Sequence, residues 1–192
     1  MMIDVTLTYI RDSLNEYLKN KFSLTENKVV LSNLVENDGS SSREVEDKIV
    51  LFLFQLDEET SLKNSNGRSG GAGSAFAERS APLFLNLHIF FCTNFRGQNY
   101  GEGLIYLSAI IRYFQQNRIL FPTSSIGFSS SIEKLSFELC KLNYDQMSNI
   151  WSSIGAKLLP SVMYKVGIVT MDDAPIKKIT PAISGTDENL NH

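Results

Sequence analysis

His88 and Cys92 stand four residues apart in the run LFLNLHIFFCT, which begins at Leu83. An imidazole beside a thiol is the pairing that activates a cysteine nucleophile. On a β-strand an even separation puts both side chains on one face. That same geometry keeps them apart: four residues at a rise of ~3.3 Å separate them by about 13 Å. Proton transfer needs hydrogen-bond reach, about 3 Å. Cys140 could still approach His88 from a neighbouring strand. The alternative is a half-buried sheet histidine bonded to its surroundings, with Cys92 and Cys140 as two buried free thiols in apolar strand-like runs. The residue pattern favours this second description. The other histidine, His192, is the last residue.

Phosphate chemistry is the next possibility. LKNSNGRSGGAGSAFAERSAP, from Leu62 to Pro82, is rich in glycine. A nucleotide-binding loop of this kind needs a glycine followed directly by lysine and Ser or Thr, so that the lysine reaches the phosphates. Here Gly67, Gly70, Gly71 and Gly73 lead into Ser74, Ala75 and Phe76, and no lysine follows. The dinucleotide pattern G-x-G-x-x-G does not fit either. The composition is that of a mobile connector between strands. No metal is expected, because three or four convergent ligands cannot be drawn from two distant cysteines and one usable histidine. Asp57-Glu58-Glu59 and Asp172-Asp173 fall at strand ends, where solvated turns are expected. The basic residues are dispersed without interleaved aromatics, so nucleic-acid binding has no support. No catalytic residue and no cofactor is assigned.

The elements that would position these residues are more legible. Ile3, Leu7, Ile10, Leu14 and Tyr17 recur at helical spacing and predict an opening helix with one apolar stripe. Lys28 to Val35 is a candidate short strand, and the polar stretch from Glu36 to Asp47 a loop. IVLFLFQL, Ile49 to Leu56, is apolar throughout and predicts a central strand covered on both sides. The run from Leu83 predicts a second long strand. Asn99 to Asn117 is the strongest helix, with a seam of Leu104, Leu107, Ile111 and Phe114 widened by Ile105 and Ile110. Lys134 to Leu142 alternates, with Leu135, Phe137 and Leu139 inward. Asn143 with Gln146 three residues on forms a capping-box pattern. The helix it opens carries Met147, Ile150, Trp151, Ile154 and Leu158 on one side and is expected to end at Pro160. Val162, Tyr164, Val166 and Ile168 predict a last core strand. IKKIT, Ile176 to Thr180, is either a short strand or part of a loose tail.

The fold class that follows is α/β (α+β): a single-domain mixed β-sheet flanked by two or three helices, mostly on one face. The domain is expected over residues 1–175, with 176–192 as a polar C-terminal tail. At 192 residues, such a domain buries about 70% of its unfolded surface and needs no covalent staple. The net charge of −3 gives no general attraction to nucleic acid or anionic membrane. No run approaches the ~18 apolar residues of a membrane span. MMIDVTLTYIRDS lacks the basic region and apolar run of a secretory signal. Synthesis in a bacterial-type cytoplasm fits. Long loops on a very apolar sheet, with no visible active site, suit a structural or assembly protein better than an enzyme.

Several stretches also carry a resemblance. They are IDVTLTYIRDSLNEYL near the start, LKN (Leu62 to Asn64), APLFLNLHIFFCTNF (Ala81 to Phe95), NYGEGLIYLSAIIRYFQQN (Asn99 to Asn117) and IEKLSFELCKLNYDQMSNIWSSIGAKLLPSVMYKVGIV (Ile132 to Val169). Within them N-Y-x-E-x-L, F-Q-x-N, N-x-W-x-x-x-G and P-S-V-x-Y-K occur in this order. Together they span most of the chain. The chain resembles the tail-terminator or cap proteins of phage-tail-like contractile injection systems, of the antifeeding-prophage and virulence-cassette type. The resemblance implies a phage tail-terminator-like fold and a role without catalysis. It implies a homo-hexamer, a six-fold ring at the baseplate-distal end of the inner tube. That ring stops tube and sheath growth, so an inner tube protein and a sheath protein are the implied partners, with no nucleic acid and no direct membrane insertion. It implies assembly in a bacterial cytoplasm and a final place in an extracellular or membrane-attached particle. Some members of that family carry a further C-terminal domain, and none is expected in this sequence, which runs to His192. Two rival functions stand beside it: another ring component of the same machine, at the tube-initiating or baseplate end, and a small-molecule enzyme using His88 or Cys140.

Two kinds of segment are expected to make partner contacts. One is the pair of projecting loops, the glycine-rich loop with Asn64, Gly67, Arg68, Gly70, Gly71 and Gly73 and the acidic loop from Glu36 to Asp47, both ordering on assembly. The other is the tail strand Ile176, Lys177, Lys178 and Ile179, adding to the sheet edge of a neighbouring copy or of the sheath protein.

Overall fold

The apolar stripe at the start of the chain forms α1 (Met2–Phe22), which buries Leu7, Ile10, Leu14 and Leu18. Asp4 sits in its first turn and Lys19 and Lys21 in its last, which suits the helix dipole. The computed structural model describes residues 2–36, 39–40, 43–59, 76–79, 84–122, 132–170 and 176–180. After α1 come β1 (Val29–Leu31), β2 (Ile49–Glu58), β3 (Phe76–Arg79), β4 (Leu85–Thr93), α2 (Tyr100–Gln116), β5 (Ile119–Leu120), β6 (Ile132–Leu139), α3 (Tyr144–Ile154), β7 (Ser161–Thr170) and β8 (Ile176–Thr180).

Six strands form one mixed sheet in the order β1-β2-β4-β7-β6-β5, and β3 pairs with β8 in a separate two-stranded ribbon. Every pairing is antiparallel except that of β1 with β2. The two long apolar runs are therefore neighbours in the middle of the sheet, and β4 lies between β2 and β7 along its whole length.

Strand alternation sends the apolar residues of β4 to two different cores. Leu87, Ile89 and Phe91 face α1 and α2, together with Leu51, Leu135, Tyr164, Val166 and Ile168. Phe90 and Cys92 face α3, together with Val50 and Met163. Two helices cover one face and the third covers part of the other. Each large side chain buried this way contributes ~1.5–3 kcal/mol.

The capping box is present in full. The Asn143 side chain accepts from the Gln146 amide at 2.8 Å, and the Gln146 side chain accepts from the Asn143 amide at 3.0 Å. Ile150 and Trp151 are buried as their spacing predicts. The helix ends earlier than Pro160, at Ile154, because Gly155 takes the left-handed conformation (φ 73°) that closes a helix. Leu158 is then beyond the helix and exposed.

The seam of α2 is rotated from its expected place. Gly103, Tyr106, Leu107, Ala109, Ile110 and Phe114 are buried, while Leu104 and Ile105 are exposed. The cause is Gly103. A Cβ there would come within 2.9 Å of the buried Phe95 ring, so the bare backbone lets the helix approach at that residue. Ile111 packs partly against the same core.

The strand readings also need adjustment. Only Val29 to Leu31 of the first candidate pairs in the sheet. β2 is fully buried at Ile49 to Leu51, but Phe54 and Leu56 are exposed. Leu139 likewise ends its strand exposed. β3 and β5 carry no strand pattern of their own in the sequence.

Candidate assembly surface

The two ends of the sheet differ in kind. At the end where Ile49 pairs with Thr93, loop backbone is tied down by buried amide side chains. Asn15 on α1 donates to the Val29 carbonyl at 2.8 Å and accepts from the Lys28 and Val29 amides at 3.0 and 2.9 Å. Asn94 donates to the Val45 carbonyl at 3.0 Å, and its backbone exchanges bonds with Asp47 and Lys48. Such groups are satisfied by design of the loop, since an unpaired buried amide is costly. Glu26 bridges Lys28 and Lys48, each at 2.8 Å. Hydrogen bonds from Lys28 and then Lys48 hold its carboxyl down at a pKa of about 2. On the α3 face of the sheet Phe90 is fully buried, stacked on Phe52 at 5.5 Å and edge-on to Trp151 at 6.5 Å.

The opposite end is polar on the face that α3 leaves bare. The register aligns Asp57 with Asn86, Asn86 with Gly167, and Gly167 with Ser136. It also aligns His88 with Lys165, and Lys165 with Glu138. His88 Nε2 lies 3.0 Å from Asp57 Oδ2. Glu59 accepts from Asn86 at 3.1 Å and lies 3.6 Å from Lys165. Glu59, Asn86, Ser136, Glu138, Lys165 and Gly167, with Phe137 and Ile168, line a shallow cavity of about 390 Å³. Its floor is open because Gly167 has no side chain: a Cβ there would meet Ser136 Oγ at 2.6 Å. Asp57 Oδ1 is buried with no donor among the described residues.

His88 is thus the bonded, part-buried sheet histidine expected from its position. Asp57 is not a solvated turn residue but a strand residue held by His88. Neither thiol is poised as a nucleophile. Burial pushes Cys92 far up, and burial followed by the Glu138 charge raises Cys140. Among the described residues no group of His, Cys, Asp and Glu has the arrangement of a metal site. No described helix is long and apolar enough to cross a membrane.

Along its outer edge this end is also unfinished. β1 accompanies β2 only as far as Leu51, and Ser32 makes the last bond to it. From Leu53 to Glu58, β2 has β4 on one side and no strand on the other among the described residues. Ile3, Leu7, Leu31, Phe52, Leu53 and Leu85 line a groove of about 860 Å³ at the root of this bare edge. The sequence offered one sign of it: an apolar run that turns acidic at Asp57-Glu58-Glu59, in a strand too long for its short neighbour.

Of the residues expected to meet partners, Asn64, Gly67, Arg68, Gly70, Gly71 and Gly73 lie outside the described residues. Ile176, Lys177, Lys178 and Ile179 lie in β8, paired with β3 of the same chain. β3 leads into β4 and β8 follows β7, so the ribbon hangs from the end where Leu85 pairs with Ile168. That is the polar end of the sheet.

Comparison with known proteins agrees with this architecture. All of the chain superposes on 64% of the sheath/tube terminator of an extracellular contractile injection system (PVC, extended state), with a TM-score of 0.59 and 15% identity. In the same way 94% of it superposes on 60% of the tube-terminating cap of the anti-feeding prophage, with a TM-score of 0.54 and 18% identity. The chain therefore spans somewhat under two thirds of the length of each. No curated protein matches the sequence. The family of the Pvc16 N-terminal domain matches residues 5–185. That match takes in every strand and helix just described apart from the first turn of α1, and the chain belongs to this family.

Proposed function

We propose that this chain is a structural cap of a contractile injection system. It forms a six-fold ring on the baseplate-distal end of the inner tube, ends tube growth, and joins the last sheath layer to the particle end. The observation that carries this reading is the extent of the likeness: the whole six-stranded sheet and its helices share their fold with two proteins described as terminators of tube and sheath. Membership of the Pvc16 N-terminal domain family points the same way.

The role is mechanical rather than catalytic. His88 is engaged by Asp57, and burial raises the pKa of both thiols. A terminator must match the tube end with one face and present to a further tube layer a face without that match. Rings arise from heterologous contacts that close on themselves. The two-ended sheet suits this task, with one end tied down for folding and the other left polar and bare for contacts.

Assembly with and without the protein tests the proposal. Tubes and sheaths of controlled length with it, and of uncontrolled length without it, are expected. Particles of normal length without it would overturn the proposal. Co-purification with baseplate parts, rather than with the distal end, would instead assign the chain to the other end of the tube.

A further inference from the structure

The ribbon of β3 and β8 is an incomplete structure. A two-stranded sheet alone is marginal in water and needs a third strand or a packed face. Among the described residues no other element packs substantially on either strand. The chain also holds an incomplete edge, the half of β2 from Leu53 to Glu58. Proteins commonly blunt such edges with inward charges, proline or a covering loop. Here Phe54 and Leu56 stand exposed on it, 37% and 44%. A bare edge and an unsupported ribbon in one chain are the two halves of a strand-addition joint.

We propose that β8 of one copy adds to the bare half of β2 in the next copy, so that the sheet runs on from protomer to protomer. The occupant is a second copy of this chain, and charge supports the choice. β8 reads IKKIT, with Lys177 and Lys178, whereas the bare half of β2 runs into Asp57, Glu58 and Glu59. Asp57 Oδ1, buried and lacking a donor among the described residues, is a group that an incoming ammonium or backbone amide would satisfy. The groove at Ile3, Leu7, Leu31 and Leu53 offers apolar lining beside the same edge, where an isoleucine-flanked strand fits. Donor and acceptor lie at different places on the molecule, so the contact is heterologous and repeats into a ring or a filament. The inference rests on the ring described under the proposed function, and it names the joint that makes that ring.

Cross-linking tests it. Glu58→Cys and Lys178→Cys are made as separate full-length chains, each with Cys140→Ser, mixed, assembled, and treated with a short bis-maleimide. A covalent dimer in the mixture, at least tenfold stronger than in either variant alone, is the expected result. No dimer in the mixture overturns the inference. So does a double variant that links only within one chain, because the ribbon would then be folding onto its own edge. Reversing both lysines to glutamate is expected to weaken self-association at least tenfold and to leave the unfolding temperature unchanged. An unchanged particle mass with the reversed charges would also count against the joint. Tubes of normal length with no cross-link would sink strand addition and leave the capping role standing. A cross-link together with uncontrolled tube length would do the reverse.

Discussion

β4 passes through two environments in nine residues, and the contrast between them organises the molecule. At Ile89 to Thr93 every residue is buried, with apolar partners on both faces and loop backbone pinned by Asn15 and Asn94. At Leu85 to His88 one face remains apolar through Leu87, but the other carries Asn86 and His88 in a network with Asp57, Glu59 and Lys165. The first end follows the rule that apolar burial supplies stability. The second departs from it without apolar compensation, and such departures concentrate where a protein meets something else. Under the proposed capping role, folding and assembly separate along one strand.

Substitutions can break this contrast, and the largest effects belong to the closed end. Phe90→Ala removes the ring stacked between Phe52 and Trp151 and is expected to cost ~3–5 kcal/mol in denaturant unfolding. Gly103→Ala drives a methyl into the buried Phe95 ring and is expected to cost ~1–3 kcal/mol by overpacking, with α2 displaced from β4. Asn143→Ala removes the capping box of α3 and is expected to cost ~1 kcal/mol. By contrast, Lys165→Ala at the polar end breaks a part-exposed pair and is expected to change stability by no more than ~1 kcal/mol, while weakening attachment to tube or sheath in a sedimentation assay. If Lys165→Ala destabilised the fold as much as Phe90→Ala, the separation of the two ends would be wrong.

The smallest effect is acid-dependent. The Glu26 carboxyl is depressed from its ordinary 4.5 to about 2 by Lys28 and Lys48. Its contribution is therefore complete above pH 4.5 and is lost as pH falls through about 2. Glu26 is more than half exposed, so screening keeps the contribution small. Glu26→Gln is expected to flatten the fall in unfolding temperature across that window and to leave neutral pH nearly unchanged.

Much of the closed end was legible in the sequence, because periodicity and capping are local. Leu7, Ile10 and Leu14 fixed the buried side of α1, and Asn143 with Gln146 fixed the start of α3. The misplaced seam of α2 had a non-local cause, since nothing near Gly103 announces that Phe95 packs beneath it. Leu104 and Ile105 are apolar yet face outward for the same reason. Pro160 marks a helix stop in the sequence but Gly155 ends the helix first, because a left-handed cap is harder to foresee than a missing amide. The ribbon was half visible in IKKIT, but FAER beside the glycine-rich loop gives no alternation strong enough to mark a strand. The polar network depended on register, which joins Asp57 to His88 across 31 positions and which a single sequence does not encode locally.

The most direct measurement is the length distribution of inner tubes assembled in the presence and absence of this chain, read from images of whole particles. The account predicts a narrow distribution, with the chain at the baseplate-distal end, and tubes running to uncontrolled length when it is left out. Equal and narrow lengths in both cases would contradict it.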